Sequence, residues 1–367
     1  MLTIISFVII LGILVLAHEL GHFISAIKLG VEVEEFGIGF PPRLMSFKRN
    51  GVTYSINWIP IGGFVKIKGE SGDQAEDPNS FSHQKTWKKS IILSAGVIMN
   101  FFVAFILLSI GFFIGLPQAI DENTPLEDVS QRNVMIMEVV PDSPADIAGI
   151  EIGDKILAIN QQEVLDSDFI YQFILDHEQE ELGLTIQRNE ELLELTVQPR
   201  IIEVGQPPMV GVGMLDTGVV SYGFFGSIWQ GAKGSVMMTI RIVQAFYQLL
   251  VDLFTTGQLS PGLAGPVGVA IITGQVVQLG FVYILNFAAI LSLNLAVLNI
   301  LPFPALDGGR LLFAWVEKIR GRKISERIEA WIHNSGFVLL MLLIVFVTWR
   351  DVSKYGGQIW TAVKNIF

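Results

Sequence analysis

Residues 18–22 read HELGH. On a helix, residues four apart share a face, so His18 and His22 can turn two imidazole nitrogens toward one metal ion. Glu19, beside the first histidine, can then reach a water at that ion as a general base. Zinc suits imidazole and carboxylate ligands and has no redox chemistry to control. On a soluble helix the same five residues could equally be two surface histidines and a glutamate. Here they lie inside the apolar run LGILVLAHELGHFISAIKLG. An Asp, Lys or Arg at mid-bilayer costs about 2.5–3.5 kcal/mol on insertion scales, so an unrewarded ionisable group in such a run is disfavoured.

A catalytic zinc usually has three protein ligands and one open position. The chain has no cysteine and five histidines. Of the three outside HELGH, His83 falls in a polar loop, His177 in an acidic middle region and His333 at the start of a late apolar run. A carboxylate is the better third ligand, and Asp307 in NILPFPALDGGR is the candidate. Pro302 and Pro304 break the preceding helix. Broken helix at membrane depth is tolerated only where it is buried in protein or lines a wet cavity. The competing reading of Asp307 is a helix-ending turn at the interface, and spacing alone does not decide between the two.

The elements that would position these groups are membrane spans. The chain has 367 residues, 51% hydrophobic and 16% charged, with a mean hydropathy of +0.54, a balance of the membrane class. The net charge of −11 argues against nucleic acid, which needs clustered Lys and Arg. The absence of cysteine excludes disulfides and thiolate sites. A helix needs about 20 apolar residues to cross the hydrocarbon core. Residues 1–27, 91–117, 279–307 and 331–350 qualify, the first being too long for a signal-peptide core and expected to be retained. Residues 261–278, interrupted by Gly, Pro and Gln, do not qualify.

Loop charge orients these spans. Residues 28–90 carry nine Lys/Arg and residues 308–330 carry six, whereas residues 118–278 carry six against 22 acids. Four spans, with both termini and the acidic segment outside, satisfy all three segments. A fifth crossing at 261–278 would put the second basic segment on the wrong side. In the four-span arrangement His18, His22 and Asp307 fall at the cytosolic halves of their spans. That shared depth, reached without using these residues, selects Asp307 as the third ligand.

Between the spans, residues 31–68 alternate apolar with polar or Gly and contain FPP, RNG and IGG, the pattern of short β-hairpins. With a polar loop they make up region 28–90. Residues 125–200 read as an α/β module, with a helix near 167–178 and strands near 182–188 and 191–198. Its SPADIAGIEIGDKILAIN resembles the core of PDZ domains, which take an extended peptide beside an exposed strand. Residues 201–278 are expected as linker and an interfacial amphipathic helix over 222–256. Residues 351–367 are expected as a tail.

Taken together, HELGH in the first span, GGFVKIKGE, one PDZ-like module and NILPFPALDGG resemble the site-2 protease family across nearly the whole chain. The resemblance implies a polytopic α-helical membrane protein of four transmembrane helices, with a re-entrant β-hairpin region and an inserted extracytoplasmic PDZ-like module. It implies an intramembrane zinc metalloprotease of the bacterial cytoplasmic (inner) membrane. One Zn2+ would be held by His18, His22 and Asp307, with Glu19 as base. It also implies substrate contacts by Asn299, with Asn294 assisting, and by Gly62, Gly63 and Phe64 of a hairpin that presents substrate as an extended strand. For the two asparagines, interhelical hydrogen bonding is the competing role. Implied partners are transmembrane protein substrates such as anti-sigma factors or remnant signal peptides, the lipid bilayer, and a peptide or protein C-terminus at the PDZ groove. Enterobacterial members carry two tandem PDZ domains and this chain has room for one, as in Gram-positive or cyanobacterial members, so filtering of substrates by a PDZ pair does not carry over. A silent PDZ scaffold and a metal or proton transporter are the rival functions. The intact His, Glu and Asp set disfavours the first, and the module with only four spans disfavours the second.

Overall fold

The computed structural model describes residues 2–70, 74, 76–120, 129–188, 191–201, 207–257, 264–322 and 324–364. It divides into two compact units, residues 1–110 with 228–367, and residues 111–227.

The first unit is built from long apolar helices and one hairpin. Helix α1 (Leu2–Lys28) and helix α2 (Thr86–Ile114) have no acidic residue in their first turns. Where no water can take up backbone N–H and C=O groups, a helix satisfies them internally. Between them, strands β1 (Val33–Arg49) and β2 (Val52–Ile67) form one long antiparallel hairpin in place of the several short hairpins expected. Arg49 pairs with Val52 across Asn50 and Gly51, both at positive φ, the two-residue turn whose twist matches the strands. FPP and IGG, which look like ends of strands, are absorbed as register shifts along the ladder. A cluster of Ala26, Val31, Val33, Val52, Ile67, Ile92 and Leu93 ties α1, the hairpin and α2 together.

The second unit is an antiparallel sheet with two short helices. Strands β3 (Leu116–Ala119), β4 (Val129–Val139), β5 (Lys155–Ile159), β6 (Gln162–Glu163), β7 (Leu182–Arg188), β8 (Glu191–Val197) and β9 (Val212–Val220) are ordered β3-β9-β4-β5-β7-β8, with β6 beside β5. Helix α3 (Pro144–Ile147) is capped by Ser143 and helix α4 (Ser167–Asp176) by Asp166. The core holds Ile136, Ile159, Ile170, Leu182 and Ile186. The module therefore reaches past both ends of the expected 125–200. Strand β9 lies in the stretch expected as linker and pairs with β3 and β4. Three glycines in VGVGMLDTGVV blur its alternation, and its partners lie far back in the chain.

The remaining helices belong mostly to the first unit. Helix α5 (Phe224–Thr255) has 32 residues and, by length and composition, is a fifth helix able to cross a membrane where an interfacial helix was expected. Its hydropathy of 1.4 is below the 2.1–2.6 of the other four. Helix α6 (Pro266–Leu279) has 14 residues, about 21 Å, short of a full crossing. Helix α7 (Phe281–Ile300) is followed by α8 (Asp307–Arg320) and α9 (Glu326–Lys364). Of the run expected as a tail, residues 351–364 continue α9, and residues 365–367 lie outside the described residues. Asp351, the first residue of the expected tail, is 3% exposed and accepts from Gly268 N–H at 2.7 Å in the first turn of α6, where a negative charge is stabilised.

Candidate metal centre

One turn of α1 carries His18, Glu19 and His22, and both histidines are buried, each 6% exposed. Asp307 arrives from the far end of the chain as the first residue of α8. Its Oδ2 lies 3.0 Å from His18 Nε2 and 3.3 Å from His22 Nε2, and the two Nε2 atoms are 3.2 Å apart. Three donor atoms thus face one point.

The local sequence explains why Asp307 reaches it. Pro302 cannot continue the hydrogen-bond ladder of α7, and Leu301 leaves helical geometry. The chain then doubles back so closely that a Cβ on Gly308 would strike the carbonyl oxygens of Ile300 and Leu301. Within this loop Ala305 stands at φ 78, and its N–H donates to His333 Nδ1 at 3.0 Å. His333, weighed above as a ligand, instead braces the loop from α9. One turn after Asp307, Arg310 pairs with Glu70, the last residue of GGFVKIKGE.

The supporting groups set which nitrogens are free. His22 Nδ1 lies 2.8 Å from Ile92 O. A carbonyl only accepts, so Nδ1 carries the proton and the Nε2 lone pair faces the cluster. On α2, a Cβ at Gly96 would strike His22 Nε2 and lie 2.6 and 2.7 Å from His18 Cε1 and Nε2. The missing side chain leaves open the space before the imidazoles. Two neutral imidazoles and a carboxylate, with space left beside them, are a donor set that fits zinc with an open fourth position. His18, His22 and Asp307 are also the group of described side chains able to hold a metal ion.

Around this cluster a cavity of ≈ 340 Å3 is lined by Val15, His18, Glu19, Asn100, Asn299, Leu306 and Asp307 among others. Glu19 Oε2 accepts from Val65 N–H of β2 at 3.0 Å, so the hairpin backbone holds the carboxylate. Asn299 places Nδ2 3.4 Å from His18 Nε2. Asn294 donates to Ile290 O within its own helix and is not among the residues lining the cavity. Gly62 and Gly63 pack against Val15 and Leu16 of α1, and Phe64 stacks on Phe40, just before the Val65 that meets Glu19. Gly96 and Asn100 were missed in the sequence. The available signal was a glycine and an amide four apart on one face of an apolar, charge-free helix.

Residues 6–343 match the family described as Peptidase family M50. Zinc metalloprotease RasP of Geobacillus kaustophilus is 30% identical, covering 96% of this chain and 98% of that protein. Regulator of sigma-W protease RasP of Bacillus subtilis is 29% identical, with 96% and 98% covered. Among solved structures, the PDZ domain of an SdrC-like protein from Listeria innocua is 19% identical, covering 22% of this chain and 92% of that one with a TM-score of 0.21. A family match over almost the whole length and a 30% identical relative matched nearly end to end lead to one conclusion: the chain belongs to peptidase family M50, the site-2 proteases, and is a zinc metalloendopeptidase.

Proposed function

We propose that the chain cleaves peptide bonds inside transmembrane segments of membrane proteins, with His18, His22 and Asp307 holding one zinc ion and Glu19 as general base. The observation that carries this reading is the convergence of the three donor atoms within 3.3 Å, with Glu19 on the wall of the same cavity. Zinc bound there supplies Lewis-acid polarisation of the scissile carbonyl. The Glu19 carboxylate takes a proton from the attacking water and delivers it to the leaving nitrogen, as a general base that becomes the acid. The Val65 N–H on Oε2 leaves Oε1 for that work.

A transmembrane helix hides its amides in its own hydrogen bonds, so the substrate unwinds before cleavage. The hairpin beside Glu19 supports presentation of the unwound segment as an extended strand past Gly62, Gly63 and Phe64, with Asn299 bonding its backbone. The Bacillus subtilis relative is named a regulator of sigma-W protease; an anti-sigma factor is one substrate class consistent with that name, and remnant signal peptides are a second proposed class. In the second unit, a groove of ≈ 310 Å3 lined by Val140, Tyr171, Ile174, Met209, Gly211 and Met214 supports capture of an extended peptide or protein C-terminus. In this reading the protein sits in the bacterial cytoplasmic membrane. The second unit and both ends lie outside, α1, α2, α7 and α9 cross, and α5, the least apolar of the five long helices, lies at the interface.

Purified Glu19→Gln should keep one zinc per chain by metal analysis and lose cleavage of a transmembrane substrate. Undiminished turnover would sink the assignment.

A further inference from the structure

We infer that Asn100 is a positioning residue for the metal site: its side-chain oxygen accepts the Nδ1 proton of His18 and so keeps the His18 Nε2 lone pair turned toward the metal. The inference rests on His18, His22 and Asp307 being the zinc ligands. Asn100 sits in α2 at 0% exposure, where a carboxamide is costly unless hydrogen-bonded. Its Nδ2 stands 3.3 Å from His18 Nδ1, and its Oδ1 has no partner.

In that orientation the amide donates to Nδ1, and the single proton of the neutral ring must sit on Nε2, the atom 3.0 Å from Asp307 Oδ2. A ring in that tautomer has no lone pair for a metal at Nε2. Turning the amide over exchanges two ends of nearly equal size. Oδ1 then accepts Nδ1–H and Nε2 is freed, while the NH2 group takes the buried place that the oxygen held. The two orientations select opposite tautomers, and only the second agrees with zinc on Nε2. His22 already has such a support in Ile92 O, and metal-bound histidines commonly donate their second N–H to a fixed acceptor. The turn is also pinned from outside, because Ser292 Oγ on α7 donates to the Asn100 backbone carbonyl at 2.8 Å.

The test is zinc affinity, measured by chelator competition on the detergent-purified full chain. Asn100→Leu should bind zinc about 10–100-fold more weakly, the usual cost of losing such a support. Asn100→Asp should stay within a few-fold of wild type, since a carboxylate still accepts from Nδ1–H. Wild-type affinity in Asn100→Leu would overturn the inference. So would a loss in Asn100→Asp as deep as in Asn100→Leu, because a required donor cannot be replaced by a carboxylate. If Asn100→Leu does not fold, Asn100→Asp decides alone by the same logic. His18→Ala separates the two levels: unchanged zinc affinity there refutes the ligand set itself. Loss there with none in Asn100→Leu refutes only the role of Asn100.

Discussion

Gly96 sits where any side chain would run into the two imidazoles. Adding one methyl to a packed interior costs about 1–3 kcal/mol when neighbours must shift, and here the neighbours are the proposed ligands. Gly96→Ala should therefore purify with well under one zinc per chain; full occupancy by metal analysis would show that α2 can back away from α1. At this scale the sequence was uneven. HELGH announces itself because both histidines ride one helix, whereas Asp307 stands out only through the depth it shares with them once loop charge orients the spans. Gly96 and Asn100 carry no such flag, since a glycine or an asparagine in a membrane helix is ordinarily a packing residue or interhelical glue.

Among the elements, the most constrained is the turn between α7 and α8, braced by His333 and closed by Gly308. In the second unit the equivalent clamp is Arg188 of β7. Its guanidinium donates to Asp154 at 2.8 and 2.7 Å and to Glu151 at 2.8 Å, while the Asp154 side chain is 1% exposed. Hydrogen bonding to Asp154 raises the Arg188 pKa further, so the pair stays charged on the guanidinium side throughout the working pH range. Arg188→Met leaves a buried carboxylate without its cation, a change that costs about 3–5 kcal/mol when both partners are buried. Because Arg188 keeps 26% exposure, the lower end is expected. Hydrogen exchange in β5 and β7 of the full chain should accelerate accordingly, and unchanged protection would refute the clamp. Helix α4 and strands β7 and β8 were legible from local pattern. Strand β9 was not, since its ladder is made with segments far earlier in the chain.

For the whole molecule, the exposed faces of α1 and α9, with Ile5, Ile9 and Ile13 on one and Leu339, Leu342 and Val345 on the other, would be untenable in water. The lack of cysteine makes the proposed sidedness directly testable. Single cysteines at Gln162 and Thr255 should react with an impermeant maleimide in intact spheroplasts, and one at Arg320 only after permeabilisation. Thr255→Cys labelled only after permeabilisation would make α5 a fifth crossing. Hydropathy and basic loops, being sums over many residues, let the sequence by itself determine that the chain carries helices long and apolar enough to cross a membrane, while HELGH and the shared depth of Asp307 gave the candidate metal ligands. Tertiary structure alone decided that His18 and Asp307, 289 positions apart, come within hydrogen-bonding distance. It also decided that β2 holds Glu19 through a backbone N–H and that α2 presents a bare Cα and an amide to the histidines. The physical reason is that lone-pair direction and sub-ångström clearance depend on how helices pack against one another, and no local pattern encodes that.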